Sequence, residues 1–329
     1  MTTATALRLR PYAGSSDVAE IVRVYNAAAA ADRVEEVWTE AGLAAWLSHA
    51  SEQFDPARDV VLAELEGRVV AAGRMDWADN RDGRSRDYRI FGTVDPALRG
   101  RGIGTALLGE LEARATALES THSHDREAVL MSFTPAGRPS EALLRANGYV
   151  PVRWFIDMVR RTMEDIVEPP LPEGIELRPV TPDQHETIWR ANREAFRDHW
   201  GGSDESLEQL QRILSDPDTD TALWLTAWDG DEVAGGVWKE IRPAENEGLG
   251  LRRGWLNAVY TRRPWRKRGL ASALVGRSLT LLRERGMTSA ILGVDADNPT
   301  GANGLYEAAG FEVHDRFVAL RKPMDGPAT

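Results

Sequence analysis

The chain has 329 residues, 42% of them hydrophobic and 28% charged, with a formal charge of −11. That length suits two domains of ordinary size, and the composition supplies two packed cores. The negative charge argues against nucleic-acid binding, which needs a basic surface for phosphates. The absence of cysteine excludes a disulfide framework, a thiol nucleophile and a cysteine-ligated zinc site.

No apolar run reaches the ~20 residues of a membrane span, and the first residues have no signal-peptide core. The expectation is a cytoplasmic protein, monomer or homodimer, with no membrane partner and no metal.

In chain order, the first half opens with Leu9-Arg10-Pro11, continues through the strand-like Gly67–Gly73 (GRVVAAG), and reaches a strand over Tyr88–Val94. A glycine- and arginine-rich turn follows, Arg99-Gly100-Arg101-Gly102, and the half ends near Asn147-Gly148-Tyr149. The second half repeats these landmarks in the same order. Leu177-Arg178-Pro179 recurs at an offset of 168, Gly230–Gly236 at 163, Arg266-Lys267-Arg268-Gly269 at 167 and Ala309-Gly310-Phe311 at 162. Four ordered matches at nearly one offset imply two copies of one fold. The stretch 163–174 (MEDIVEPPLPEG), rich in proline and acid, reads as a linker. The domains are therefore expected at 1–162 and 175–329.

Within the second copy, Ile175–Val180 reads as a strand and Asp183–Asp198 as a helix with Thr181 at its N-cap. Ser206–Leu214 is a second helix. Thr221–Trp228 and Glu232–Ile241 flank the turn Asp229-Gly230-Asp231, a hairpin signal. Leu251–Thr261 is a strand, Arg266–Arg285 a helix, Ser289–Val294 a buried strand, Gly301–Ala309 a short helix, and Phe311–Leu320 the last strand. The fold class is α/β (α+β): a mixed, mostly antiparallel sheet flanked by helices, present twice.

The densest chemical signal is the strand–turn–helix junction. Its copies run from Val94 to Thr105 and from Thr261 to Ser272. The first N–H groups of such a helix lack intrahelical partners, and with the helix dipole they make an anion site. Small residues let a diphosphate reach the backbone, and the basic residues add charge. Candidate ligand contacts of the loop and of the strand before it are Val94, Arg99, Gly100, Arg101, Gly102, Gly104 and Thr105 in the first copy. In the second they are Val259, Thr261, Arg266, Lys267, Arg268, Gly269, Leu270, Ala271 and Ser272. A Walker A loop and a G-x-G-x-x-G loop both fail to match.

Both halves resemble the GNAT N-acetyltransferases, whose coenzyme A signature is Q/R-x-x-G-x-G/A. Arg99, Gly102 and Gly104 match it, as do Arg266, Gly269 and Ala271. The resemblance spans nearly the whole chain. It implies acetyl-coenzyme A as cosubstrate, its diphosphate on the loop amides, and its pantetheine arm along Tyr88–Val94 and Trp255–Thr261. The second family signature, an asparagine and then L-Y-x-x-x-G-F, is met by Asn298 and by Leu305-Tyr306 through Gly310-Phe311. In the family that tyrosine protonates the departing thiolate, so the resemblance makes Tyr306 the general acid. A phenol, with a reference pKa of about 10, stays protonated at neutral pH and can donate.

The same count from Gly148 lands on Leu144, and the first half also lacks the asparagine. The second half is thus the expected catalytic one. Two readings stay open for the first: coenzyme A binding without turnover, or a structural role.

An ammonium acceptor must lose its proton before attack, usually to a carboxylate. Glu240, on a strand beside the catalytic one, is the candidate, with Glu247, Asp204 and His199 behind it. The acceptor is expected to be a small-molecule or peptide amine. Among tandem members the layout is similar to the mycothiol synthases of actinobacteria, in the L-x-V-x-A-D-N strand end at Leu292–Asn298. That resemblance implies a glutamate base eleven residues before the loop arginine, where this chain has Trp255. Seven of the eleven tryptophans fall in the second half, either lining an acceptor pocket or packing its core. The alternatives kept open are a non-catalytic acyl-coenzyme A sensor or scaffold, a protein-modifying acetyltransferase, and a mycothiol synthase proper.

Overall fold

A computed structural model describes residues 6–324 apart from 82, 124, 202–204 and 298–300. The chain forms β1 (Arg8–Pro11), α1 (Val18–Asp32), α2 (Glu40–Leu47), the single turn α3 (Pro56–Asp59), β2 (Val60–Leu65), β3 (Arg68–Asp79), β4 (Ser85–Val94), α4 (Ile103–Glu119), β5 (Glu127–Pro135), α5 (Pro139–Ala146) and β6 (Val150–Arg160). It continues with β7 (Ile175–Arg178), α6 (His185–Ala195), α7 (Leu207–Ser215), β8 (Leu225–Asp229), β9 (Glu232–Ile241), α8 (Pro243–Leu249), β10 (Arg253–Thr261), α9 (Leu270–Glu284), β11 (Ser289–Asp295), α10 (Ala302–Ala308) and β12 (Glu312–Pro323).

The chain divides into two compact units that do not follow its order. Unit 1 holds the described residues to Arg153, Trp200 and Gly201, and those from Phe317 on. Unit 2 holds Trp154–His199 and Glu205–Arg316. In unit 1 the sheet runs β1-β2-β3-β4-β5 and is completed by Phe317–Pro323 of β12, antiparallel to β5. In unit 2 it runs β7-β8-β9-β10-β11 and is completed by residues 155–160 of β6, antiparallel to β11. The chain thus crosses between units inside β6 and again inside β12. Sequence patterning places the first boundary after residue 162 and assigns β12 wholly to the second domain. The difference arises because strand pairing is non-local, and an alternating strand fits either sheet.

Each sheet carries apolar side chains on both faces. In unit 2, Val237, Leu256 and Leu292 join Leu270, Leu274 and Leu282 of α9 in one core, with Tyr306 and Phe311. The other face packs Trp224, Trp228, Trp238 and Tyr260 against Ile188 and Trp189 of α6. Trp224 stacks on Trp238 at 4.3 Å and 8°. Trp189, Trp224, Trp228, Trp238 and Trp265 are all buried, so they build core rather than an acceptor wall. Unit 1 repeats the plan, with Leu107, Leu108 and Leu111 of α4 on one face and α1 and α2 on the other.

The proline-rich stretch 163–174 belongs to unit 2 and lies on α9. Met163 is buried, Ile166 and Leu171 pack on the core, and Arg277 Nη1 donates to Pro169 O at 2.7 Å. Several element ends also differ from the sequence reading. Thr221–Leu223 is a 3-10 turn capped by Asp220, not strand. The helix after Thr181 opens as a 3-10 turn inside a capping box with Gln184. Helix α8 was not foreseen. Its seven residues carry no helical periodicity, and Pro243 at its start and Gly250 after it (φ 66°) are the local signals.

Two outcomes follow from this architecture. Residues 1–162 and 163–329 expressed separately should each fold poorly, because each lacks the strand the other carries. Val318 and Leu320 are fully buried in unit 1, and burial of such side chains is worth about 1.5–3 kcal/mol each. Circular dichroism and denaturation of the two halves, against the whole chain, check this. Lys239 is fully buried with no hydrogen-bond partner for Nζ among the described residues, and burial, helped by Arg285, brings its pKa down to about 7. The unfolded chain then binds more protons than the folded one between pH 7 and the ordinary lysine value, so stability should rise with pH in that window. Lys239→Met should raise the denaturation midpoint at pH 7 and flatten that slope.

Candidate functional site

The candidate site begins where β10 leaves β11. These strands pair in parallel only from Arg253 to Trp255, opposite Ser289–Ile291. On its other edge β10 stays paired with β9 through Thr261, interrupted by a bulge between Leu256 and Ala258. An extra residue in one strand bends it and increases its twist. Arg262 N donates to Ala234 O at 3.0 Å, which sets the alternation along this strand. The N–H and C=O groups of Val259 and Thr261 therefore point to the edge that β11 has vacated.

The turn that follows has the same backbone path in both units. A 3-10 turn, Arg263–Trp265, leads to Lys267 at φ 61° and Gly269 at φ 82°, which caps α9. In unit 1, Pro96–Leu98 leads to Gly100 at φ 76° and Gly102 at φ 79°, which caps α4. Glycine at the cap relieves the steric cost of a left-handed residue, and Lys267 bears it. The first intrahelical bonds are Ala273 N to Gly269 O and Ala106 N to Gly102 O. The preceding amides, of Leu270, Ala271 and Ser272 and of Ile103, Gly104 and Thr105, come before any i−4 acceptor. This is a donor set suited to a diphosphate.

The basic side chains divide into two groups. Arg266 turns inward: Nε donates to Thr261 O and Nη2 to Ala195 O, both at 3.0 Å. Arg99 is held by a bidentate pair with Asp32 at 2.6 and 2.9 Å. Both arginines of the family signature thus brace their loops. Lys267, Arg268, Gly100 and Arg101 are exposed at the turn, with Arg268 Nη2 reaching Glu173 O at 3.1 Å. In unit 1 the C=O and N–H of Val94 face the corresponding edge, since Asp95 N bonds Val70 O.

Tyr306 lies on α10, inside the core that also holds Leu270, Leu274 and Val294. The glycine four residues on explains its placement. Gly310 adopts φ 83°, and a Cβ there would meet Arg160 Nη1 at 2.2 Å. Arg160 donates to Ala309 O, Glu164 O and Thr162 O, so its charge closes the C-terminal end of α10. Phe311 N returns to Tyr306 O at 2.9 Å, and the two rings meet edge to face at 6.1 Å. Burial raises the Tyr306 phenol above its ordinary value of 10.0. Asn298 lies outside the described residues. Leu144 occupies the equivalent place in unit 1, buried in the α4 core.

Trp255, the last residue paired with β11, stands across from Glu240 on β9. Arg242 Nη2 holds Glu240 Oε2 at 3.0 Å and stacks 4.5 Å from the Trp255 ring. Trp255 Nε1 donates to Glu245 Oε1 at 2.7 Å, and Arg253 Nη2 reaches the same oxygen at 3.2 Å. Glu245 and Arg253 are each 2% exposed. Burial and the neighbouring Asp216 raise the Asp218 carboxyl above its usual value. Glu245 differs from Glu247 on the same helix by its burial and its bond to Trp255, which no sequence pattern marks. Of the other proton acceptors considered, Glu247 is exposed, His199 packs 4.4 Å from Phe196, and Asp204 lies outside the described residues.

The sequence profile of the acetyltransferase (GNAT) family matches residues 20–129 and 185–311, one match in each repeat. The chain belongs to the GNAT acetyltransferase family. This GNAT chain is 31% identical over 315 residues to a mycothiol acetyltransferase of Geodermatophilus obscurus, covering 93% of this chain and 94% of that one. It is 33% identical over 220 residues to a mycothiol acetyltransferase of Thermobispora bispora, covering 66% and 70%. A GCN5-related N-acetyltransferase from Sphaerobacter thermophilus matches with a TM-score of 0.70 and 26% identity, over 96% of this chain and 95% of that one. A tandem GNAT protein from the clavulanic acid biosynthesis pathway matches in fold, with a TM-score of 0.69 and 18% identity over 98% and 100% of the two chains. Two GNAT repeats in one N-acetyltransferase chain account for the doubled architecture. Among the described residues no helix is long and apolar enough to cross a membrane, and no cluster of three or more histidines or acids is placed to hold a metal.

Proposed function

We propose that this GNAT enzyme transfers acetyl from acetyl-coenzyme A to a primary amine by direct attack, and that unit 2 is the catalytic repeat. One observation carries the reading. In unit 2 the bulged strand, the open helix amides and Tyr306 occur together, whereas unit 1 has an unbroken β3–β4 ladder and Leu144. The residues fit the cosubstrate. The amides of Leu270, Ala271 and Ser272 hold the diphosphate, Lys267 and Arg268 add charge at the turn, and Val259 and Thr261 present backbone groups to the pantetheine amides.

Acetyl-coenzyme A supplies the thioester carbonyl. Glu240 takes the proton of the ammonium, directly or through water, and the freed amine attacks. The oxyanion that forms is met by a backbone N–H at Val259. The nitrogen sheds its second proton to water as the C–S bond breaks, Tyr306 gives its proton to the departing sulfur, and the phenolate regains a proton from water. The raised pKa of Tyr306 keeps it protonated through neutral pH. The acceptor is a small-molecule or peptide amine that fits beside Trp255. A tryptophan there cannot take a proton, so the acceptor is read as different from the cysteinyl amine of a mycothiol precursor.

Release of free thiol across a panel of amines tests the reaction class. Tyr306→Phe should lower kcat about 10²–10⁴-fold, the usual worth of a positioned acid, with coenzyme A affinity near that of the parent. Unchanged turnover would remove the acid role. The parent's rate should show no fall from phenol ionisation up to the ordinary tyrosine pKa of 10.0, because burial raises it. Glu240→Gln should lower kcat/KM for the amine about 10²–10⁴-fold, with coenzyme A affinity near that of the parent. Parent-like kcat/KM would move the base elsewhere, Glu245 and Asp218 being the adjacent carboxylates.

A further inference from the structure

Unit 1 holds, at the corresponding place in its sheet, a polar group of opposite character. In unit 2 the last residue of β10 to pair with β11 is Trp255, opposite Glu240. In unit 1 the last residue of β4 to pair with β5 is Arg89, opposite Asp76. Arg74 stands two residues back on β3, opposite Phe91 and on the same face. Its Nη1 donates to Asp76 Oδ2 at 2.7 Å, and Arg89 Nε donates to Asp76 Oδ1.

Two guanidiniums therefore share one carboxylate, and all three side chains are largely withdrawn from water: Arg74 is 26% exposed, Arg89 20% and Asp76 11%. Among the described residues these are the only hydrogen bonds of Arg74 and Arg89, which leaves Nε and Nη2 of Arg74 and both Nη groups of Arg89 as donors. The nearby acids are engaged elsewhere. Glu36 accepts from Trp38 Nε1 at 2.9 Å and from the Tyr25 hydroxyl at 3.3 Å, and Asp87 accepts from Arg321 Nη2 at 2.6 Å. Burial pulls the Arg74 guanidinium down despite Asp76, and the Arg89 charge beside it acts in the same direction.

The surroundings are aromatic. Arg74 lies 4.1 Å from the Phe91 ring and 4.8 Å from Trp46, and beside it Tyr25 stacks on Trp38 at 3.9 Å. A guanidinium fork matches a carboxylate in shape and charge. Flat apolar walls add affinity for the body that carries it, which a bare inorganic anion cannot use.

We propose that unit 1 binds a carboxylate borne on a planar or apolar body, its oxygens on Arg74 and Arg89 and its body against Trp46 and Phe91. The site is independent of the acetyl-transfer reading of unit 2.

Calorimetric titration of the whole chain with benzoate, benzamide and inorganic phosphate tests it. Benzoate should bind, more weakly as salt is added, while benzamide does not bind and phosphate binds less tightly than benzoate. Arg89→Gln should weaken benzoate about tenfold or more, the loss expected for one charge-assisted contact. Arg74→Lys, which keeps the charge and loses the fork, should weaken it as well. An unchanged circular-dichroism spectrum and cooperative melt of each variant show that the unit still folds. No benzoate binding, equal binding of benzamide or phosphate, or parent-like affinity in both folded variants overturns the proposal.

Discussion

The structure turns on a strand that keeps one partner and loses the other. β10 is bonded to β9 along its length, yet follows β11 for only three residues. Backbone groups taken from water need partners, so an edge left open beside a core is a demand for an extended ligand that can supply them. The alternation after the bulge before Ala258 decides which residues face that edge. The neighbouring features serve the same opening. Arg266 ties the turn to Thr261 and to the end of α6, and Arg160 fixes the end of the helix that carries Tyr306.

The two repeats keep one loop and diverge around it. Their turns share positive-φ positions at the same two places, although one is Gly100 and the other Lys267. Their signature arginines both face inward, on different partners. What changes is the chemistry beside the parting strands: an acid opposite tryptophan in unit 2, an acid drawn between two arginines in unit 1. A fold can keep its loop geometry while the side chains along the neighbouring strands are reassigned, because the first rests on backbone and the second on side chains.

What could be read in the sequence follows from how local each cause is. The turn was legible because a helix cap in the left-handed region favours glycine, and Gly102 and Gly269 sit three residues past an arginine. The contrast of Tyr306 with Leu144 was legible by counting back from a glycine that ends a helix. Glu245 is set apart from Glu247 on the same short helix by burial and by its bond to Trp255, and both depend on tertiary packing. The tryptophans suggested a pocket by their number, but packing between α6 and the sheet decides their place. The exchange of β6 and β12 had no local mark at all, since it depends on which distant strand each one meets.

That exchange bears on how the protein is made. Domains emerging from a ribosome usually fold in turn, the first while the second is still being synthesised. Here the sheet of unit 1 is closed by residues 317–323, which are translated after all of unit 2. Throughout synthesis β5 waits with an unpaired edge, the kind of surface that recruits strands from other chains. Unit 2 has β6 in hand from the start and can complete its sheet first. The order of folding then runs against the order of translation, and the nascent N-terminal repeat is the form that a chaperone has most reason to meet.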